Sequence, residues 1–415
     1  IVKQGTVWGP KLCCGQTDDI NRYGRLETMM STVPIDCRVF VDDMAALGNH
    51  KICSEMINSS CKFFEQQKKY TFSVEKTNVL RINNKEKRKK DENEKLMIKK
   101  GEVKWVDSYK YLGDVMEKNG GKIATIEEKR KKVNVAIKRI MKWTNEKEVG
   151  DMALELRMYL YATIVSRIIL NNTETWGELN KNEQQLMEKI QKDSLTELLR
   201  QKMTTSYWGL LIETGIWPVV QKIHLEMLMY VKKVLDDEEC RQARKVMVEC
   251  LRNEEIHPWA RYYNKVLDRY NLTMKNLYEM TIGEWKKYVV KGIKMAVKEE
   301  GEHQTQTQSK LKYCKPNEGK MAEYLRTMKS CEAKKILEFK LHMNEVKANY
   351  KQKYGEDQLC TKCETQLETN QHILRCEGNG KISNDTVKNK ALVDIFHDNN
   401  TDELKELYKV IKELC

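Results

Sequence analysis

Proline and glycine are scarce in this chain, with 5 and 20 residues among 415. Few breakers leave long stretches free to stay helical. No apolar run reaches the ~20 residues that span a bilayer. The most apolar segment, Tyr159 to Leu170, is short and interrupted by Arg167. A secretory leader pattern is missing as well. The 13 cysteines are odd in number and irregularly spaced, which excludes a disulfide framework and points to free thiols in a reducing compartment. The expectation is an intracellular protein of the nucleus and/or cytoplasm, not secreted and without a membrane partner. Ile1 stands inside an apparently organised segment, so the chain reads as a fragment or as one with a mis-assigned start.

What is present is charge. Asp, Glu, Lys and Arg make up 33% of the residues, and 74 Lys and Arg against 61 Asp and Glu give a net charge of +13. That balance suits a polyanionic partner. The 20 methionines and long Lys/Glu-rich stretches indicate a mostly helical chain. Its length predicts about two to four domains.

The stretch Cys37 to Gly48 places Asp42 and Asp43 between apolar runs, Val39 to Val41 and Met44 to Leu47. Such runs read as short strands, with the aspartates in the turn between them. Successive side chains on a strand point to opposite faces, so two adjacent carboxylates share a site only at a bend. A carboxylate pair on an apolar hairpin is costly unless it holds a cation, and magnesium fits few carboxylates plus phosphate oxygens. Alone, the pair is equally readable as a solvated turn, as at Asp18-Asp19 and Asp236-Asp237.

Other segments extend the pattern. Gln4-Gly5 leads to Gly9-Pro10, where glycine allows close backbone approach and Pro10 can open a helix running past Leu12, Asp19 and Ile20. Together with Phe40-Val41-Asp42-Asp43, this order resembles the reverse transcriptase of non-LTR (LINE-like) retrotransposons, from its Gln-Gly segment onward. Gly9 stands where that family has Ser, and Val41 where it has Ala. Phe72 to Leu80 resembles the family's Asn-x-x-Lys-Thr segment, with Ser73 in place of Asn. Trp105 to Gly113 resembles its primer-gripping hairpin.

The resemblance implies a two-metal RNA-directed DNA polymerase. Asp42 and Asp43 would hold Mg2+. Gln4, Gly5 and Phe40 would line the nucleotide and template site. Lys76 would lie near the triphosphate, and Tyr111, Leu112 and Gly113 would grip the primer. Its partners would be an RNA template, a DNA primer or target and deoxynucleoside triphosphates. In that family another metal-binding aspartate precedes the Gln-Gly segment, so the chain alone is expected to be an incompetent polymerase.

Lys85 to Lys90 followed by Asp91, Glu92 and Glu94 has no apolar period and reads as a solvated loop. From Thr125 the pattern turns helical, with Thr125 and Glu128 as a capping box. Val133, Ile137, Ile140 and Met141 make its stripe, amid Lys129 to Lys132, Lys138 and Arg139. A basic helix right after the palm suits a thumb lying along a duplex, binding backbone without reading sequence. Further helices are predicted over 151–170, 182–200 and 219–235, the last striped by Val220, Ile223, Met227, Val231 and Val234. Trp208, Trp217 and Trp259 are expected to pack there. Helices are also predicted near 240–253, 260–270 and 283–299. Glu302 to Ser309 reads as a linker, and Arg326 to Tyr350 as a helix pair.

Cys360-Thr-Lys-Cys363 and His372-Ile-Leu-Arg-Cys376 have zinc-ligand spacing. The alternative is free thiols on a polar loop. Lys362 and Arg375 would add nucleic-acid contacts, and the non-LTR family carries a similar knuckle. Leu404, Leu407, Ile411 and Leu414 stripe a C-terminal helix with Asn400 and Glu403 at its start. No endonuclease pattern follows the knuckle.

The expected fold is α+β: a partial polymerase palm with a short antiparallel sheet over 1–115, a helical thumb over 116–235, a helical connector over 236–350, a zinc knuckle over 351–382 and a helical tail over 383–415. The competing expectation is a non-catalytic nucleic-acid-binding relic or a domesticated thumb–knuckle module. A structural helical protein with an incidental zinc site is a third. Oligomeric state is left open.

Overall fold

A computed structural model describes residues 36–40, 43–47, 57–58, 73–82, 97–98, 101–144, 153–237, 241–316, 319–379 and 390–414. Gln4, Gly5, the segment after Pro10, Asp42 and the charged run 85–94 lie outside these residues. The chain is mostly helical with a small strand region, an α+β composition. It divides into two compact units, Ile1–Thr125 and Ile126–Cys415. No helix among the described residues is long and apolar enough to cross a membrane.

In the first unit, β1 (Asp36–Phe40) pairs antiparallel with β2 (Asp43–Leu47), Phe40 opposite Asp43. The hairpin predicted from the apolar runs is therefore present. Asp43, expected in a turn, opens the second strand, because pairing begins at that residue. Next come β3 (Asn78–Leu80), β4 (Met97–Ile98), β5 (Gly101–Glu102) and β6 (Lys104–Val106). The described strands form separate pairs, and β3 with β6 is parallel. The expected antiparallel sheet is thus a set of short ladders.

The last ladder joins β7 (Ser108–Tyr111) to β8 (Asp114–Glu117). Both residues of its loop have positive φ, 48° at Leu112 and 98° at Gly113. That is the mirror-image turn whose twist matches an antiparallel hairpin. Glycine adopts it freely and leucine does so uncommonly.

Helix α1 (Ile123–Trp143) starts two residues before the predicted cap. Thr125 does not cap it. Its hydroxyl accepts from the Val115 amide at 2.8 Å and lies 3.0 Å from the Val115 carbonyl oxygen, to which it donates. Val133, Ile137 and Ile140 are buried, as their spacing requires. The buried Arg157 guanidinium donates to the Thr144 carbonyl at 2.8 Å, to its hydroxyl at 3.0 Å and to the Leu198 carbonyl at 3.3 Å. It thereby satisfies groups that a helix C-terminus leaves open.

The predicted helix over 151–170 is interrupted. Helix α2 (Ala153–Leu160) passes through a π turn (Tyr161–Val165) into α3 (Ser166–Leu170). Helix α4 (Lys181–Leu198) has a capping box of Asn180 and Glu183. Helix α5 (Tyr207–Thr214) ends on Gly215 at φ 66°. A Cβ there would stand 2.4 Å from the Lys320 carbonyl carbon.

Helix α6 (Val219–Asp236) organises the second unit. Val219, Val220 and Ile223 belong to one core, and Met227, Leu228, Val231 and Leu235 to another. The second core is closed by α7 (Arg241–Arg252), α8 (Pro258–Arg269), α9 (Met274–Glu279) and α10 (Ile282–Thr307). Trp217 and Trp259 pack on it, and Trp208 packs on the first. The expected linker from Glu302 is helix to Thr307. Gln304 donates to Glu300 at 2.8 Å, and the Thr305 and Thr307 hydroxyls donate to the Glu302 and His303 carbonyls.

Then follow α11 (Glu323–Thr327) and α12 (Ser330–Lys340). The second helix expected before Tyr350 is absent. His342 takes φ 56°, and the chain continues as turns and a 3-10 segment, Lys347–Tyr350, into α13 (Lys351–Tyr354). Helix α14 (Asn370–Ile373) carries one candidate metal ligand. Helices α15 (Leu392–Asp398) and α16 (Thr401–Leu414) return to the first core through Leu404, Leu407 and Ile411. Asn400 accepts from the Asp402 amide at 3.0 Å. Glu403 turns instead to Lys390, at 3.0 Å. The first core therefore takes side chains from the segments expected as thumb, connector, knuckle and tail.

Candidate metal centre

The ligand atoms of Cys360, Cys363, His372 and Cys376 lie within 4.8 Å of one another. Among the described residues this is the one such cluster. Local backbone bonds build it. The Leu359–Leu367 bridge and the Cys360 amide on the Gln366 carbonyl at 2.8 Å fold the knuckle back on itself. Glu364 takes the left-handed conformation at φ 57°. The Thr369 hydroxyl accepts from the His372 amide at 3.1 Å and opens α14, so His372 faces the thiols.

The donor set fits zinc. Cys360 Sγ and Cys376 Sγ are 3.7 Å apart, and Cys363 Sγ and His372 Nε2 are 3.3 Å apart. With Zn–S near 2.3 Å, the edge of a tetrahedron is ~3.8 Å. Soft thiolates and one imidazole select such a metal over magnesium. Hydrogen bonds from Thr365, first from its hydroxyl, hold the Cys363 thiol down to about 6. Burial raises Cys376, a cost that a bound cation offsets.

Residues that spacing does not reveal support the ligands. Gln366 Oε1 is 3.0 Å from His372 Nδ1, which orients Nε2 toward the thiols. Buried Glu368 accepts from the Thr361 amide and the Lys347 amide, both at 3.1 Å. Buried Asn370 donates to the Phe339 carbonyl at 2.9 Å and accepts from Asn344 at 3.0 Å. These bonds fasten the knuckle to the helical body. A sequence shows three ordinary polar residues there; only the fold supplies their partners. Lys362 and Arg375 are exposed, and Arg375 donates to the Lys390 carbonyl at 3.1 Å.

The other predicted site residues do not join this centre. Asp43 and Phe40 pair across the β1–β2 hairpin. Lys76 is exposed at the end of a 3-10 turn, Val74–Lys76. Tyr111, Leu112 and Gly113 form the β7–β8 corner. Comparison with protein-family models, with curated proteins and with solved structures gave no match.

Proposed function

We propose that this chain works in nucleic-acid copying as part of an RNA-directed DNA polymerase of the non-LTR retrotransposon type. The supporting observation is the register of β1 and β2. Phe40, in β1, lies opposite Asp43, in β2, so the first and last residues of Phe-Val-Asp-Asp face one another across an antiparallel pair. In this reading Asp42 and Asp43 would hold magnesium, which would supply positive charge to offset that of the reacting phosphates. The primer 3′-hydroxyl would lose its proton to solvent as its oxygen bonds the α-phosphate and the bond to pyrophosphate breaks. Lys76 gives the leaving group its proton. Gln4, Gly5 and Phe40 position the nucleotide, and the Tyr111–Gly113 corner holds the primer. Cys360, Cys363, His372 and Cys376 bind zinc, whose part is structural.

A second reading is a non-catalytic nucleic-acid-binding module. The compact second unit favours it, since among the described residues its helices and knuckle share a core of their own.

Two measurements on the purified chain decide between them. Binding to a labelled RNA–DNA primer–template should weaken steeply with salt. Magnesium-dependent extension once the rest of such an enzyme is supplied, abolished by Asp42→Asn with Asp43→Asn, supports the polymerase, while the chain alone is expected to extend no primer. Salt-dependent binding without extension, even when the rest of such an enzyme is supplied, supports the module. No binding at low salt overturns both.

A further inference from the structure

Helix α1 is the thumb helix of the polymerase reading, and one face of it forms a groove to which that reading gives no ligand. A groove of about 480 Å³ runs between α1 and the π turn with α3. Val135 and Trp143 on one side, and Ile164 and Ile168 on the other, give it an apolar lining, with Lys131, Lys132 and Arg139 along α1. Val135 is 51% exposed and Trp143 56%. These two residues lie ~12 Å apart along the helix at ~1.5 Å per residue. An open indole beside cations is a common recognition element and an unfavourable surface otherwise.

The groove is built, not incidental. Arg157 fixes the C-terminal end of α1 through the Thr144 carbonyl and hydroxyl, one residue beyond Trp143. Across the groove, the hydroxyl of Thr163, in the π turn that carries Ile164, donates to the Tyr159 carbonyl of α2 at 3.0 Å. π turns of this kind occur often at functional sites.

Charge selects the occupant. From Lys129 to Trp143 the sequence holds no acidic residue, and none lines the groove. Lys131 has a partner in Glu128 at 2.9 Å. Exposed Lys138 and Lys142 continue the basic track beyond the groove. A partner helix seated in the groove would leave these outer cations unused, whereas a chain of phosphates would engage them. A duplex buries its base faces and offers nothing to the indole. An unpaired base has an open face to stack.

We propose that this groove binds single-stranded nucleic acid, with a base on Trp143 and phosphates on Lys132 and Arg139. The proposal rests on the nucleic-acid reading above and adds where the unpaired strand lies.

The test uses the full chain and fluorescence anisotropy with a labelled mixed-sequence single strand and its matched duplex. Trp143→Ala should weaken single-strand binding about tenfold, and Trp143→Phe should recover most of it, as expected for stacking. Lys132→Ala with Arg139→Ala should lower the slope of log K against log salt by ~1.4, at ~0.7 per phosphate. Melting curves check that each variant folds. Variants that bind as the wild type does overturn the groove proposal alone. Duplex binding as tight as single-strand binding overturns the single-strand assignment. An acidic amphipathic peptide that binds the wild type but not Trp143→Ala, with oligonucleotide binding unchanged, assigns the groove to a protein partner. A wild-type chain that binds neither oligonucleotide removes the nucleic-acid reading itself.

Discussion

The Cys3His knuckle and the helical body beneath it are held together by different forces. The knuckle has almost no apolar interior: Leu374 is buried, and the rest of its cohesion lies in four ligands and the bonds of Gln366, Glu368 and Asn370. The body buries whole faces of α6, α8, α10 and α16. A metal concentrates stability in a few atoms, and apolar area spreads it over many. Loss of one ligand should therefore be catastrophic locally, and loss of one core residue moderate and shared.

The sharpest way to break this contrast is to remove the metal. Structural zinc contributes roughly 10–16 kcal/mol of apparent binding energy in small zinc-finger peptides. A strong chelator, or Cys360→Ser, should raise hydrogen exchange through 355–379 while α8 and α10 stay protected. A cobalt-substituted chain should lose its thiolate bands in the variant. Exchange unchanged by the chelator would end the metal assignment.

A core truncation comes next. Trp285 is fully buried, and its indole N–H donates to the Leu228 carbonyl at 3.2 Å. Trp285→Ala should cost about 3–5 kcal/mol in denaturant unfolding. It should leave cobalt binding intact. Loss of both together would show that the two regions are a single cooperative structure.

The smallest effect is a titration. His224 is buried in α6 with Nδ1 2.6 Å from the Tyr270 hydroxyl and Nε2 2.7 Å from that of Tyr262. Burial first, and then Arg269, lower its pKa to about 3. The folded imidazole stays neutral while the unfolded one protonates below its usual value near ~6.5. The unfolded state thus binds more protons as pH falls, so this stabilisation is whole above ~6.5 and is lost toward ~3. The loss should reach about 2 kcal/mol by pH 5. Subtracting the stability–pH curve of His224→Gln from that of the wild type isolates it. Parallel curves would contradict the assignment.

The legible parts of this chain are those with local causes. The stripe Val220, Ile223, Met227, Val231 and Val234 is buried throughout, because a helix brings three- and four-residue steps onto one face. The four candidate metal ligands come together because their spacing suits a knuckle and a short helix. What stays hidden depends on distant partners. Thr125 looks like a cap until Val115 takes its hydroxyl. The Gln-Thr run looks like a linker until side-chain bonds extend α10 through it. Neither the burial of Arg157 nor the supports of His372 has any mark in spacing, since their partners lie on other elements or at no regular step.

One buried contact sets how this molecule can be cut. Glu213 on α5 and Lys340 on α12 meet at 2.9 Å inside the first core, and the Tyr324 hydroxyl donates to Glu213 at 2.9 Å. Sever the polypeptide anywhere between those helices and discard either piece, and a lone ion is stranded in an oily interior. The region from α5 to α12 is therefore indivisible for anyone trimming it to a minimal fragment, however tempting the boundaries drawn from composition.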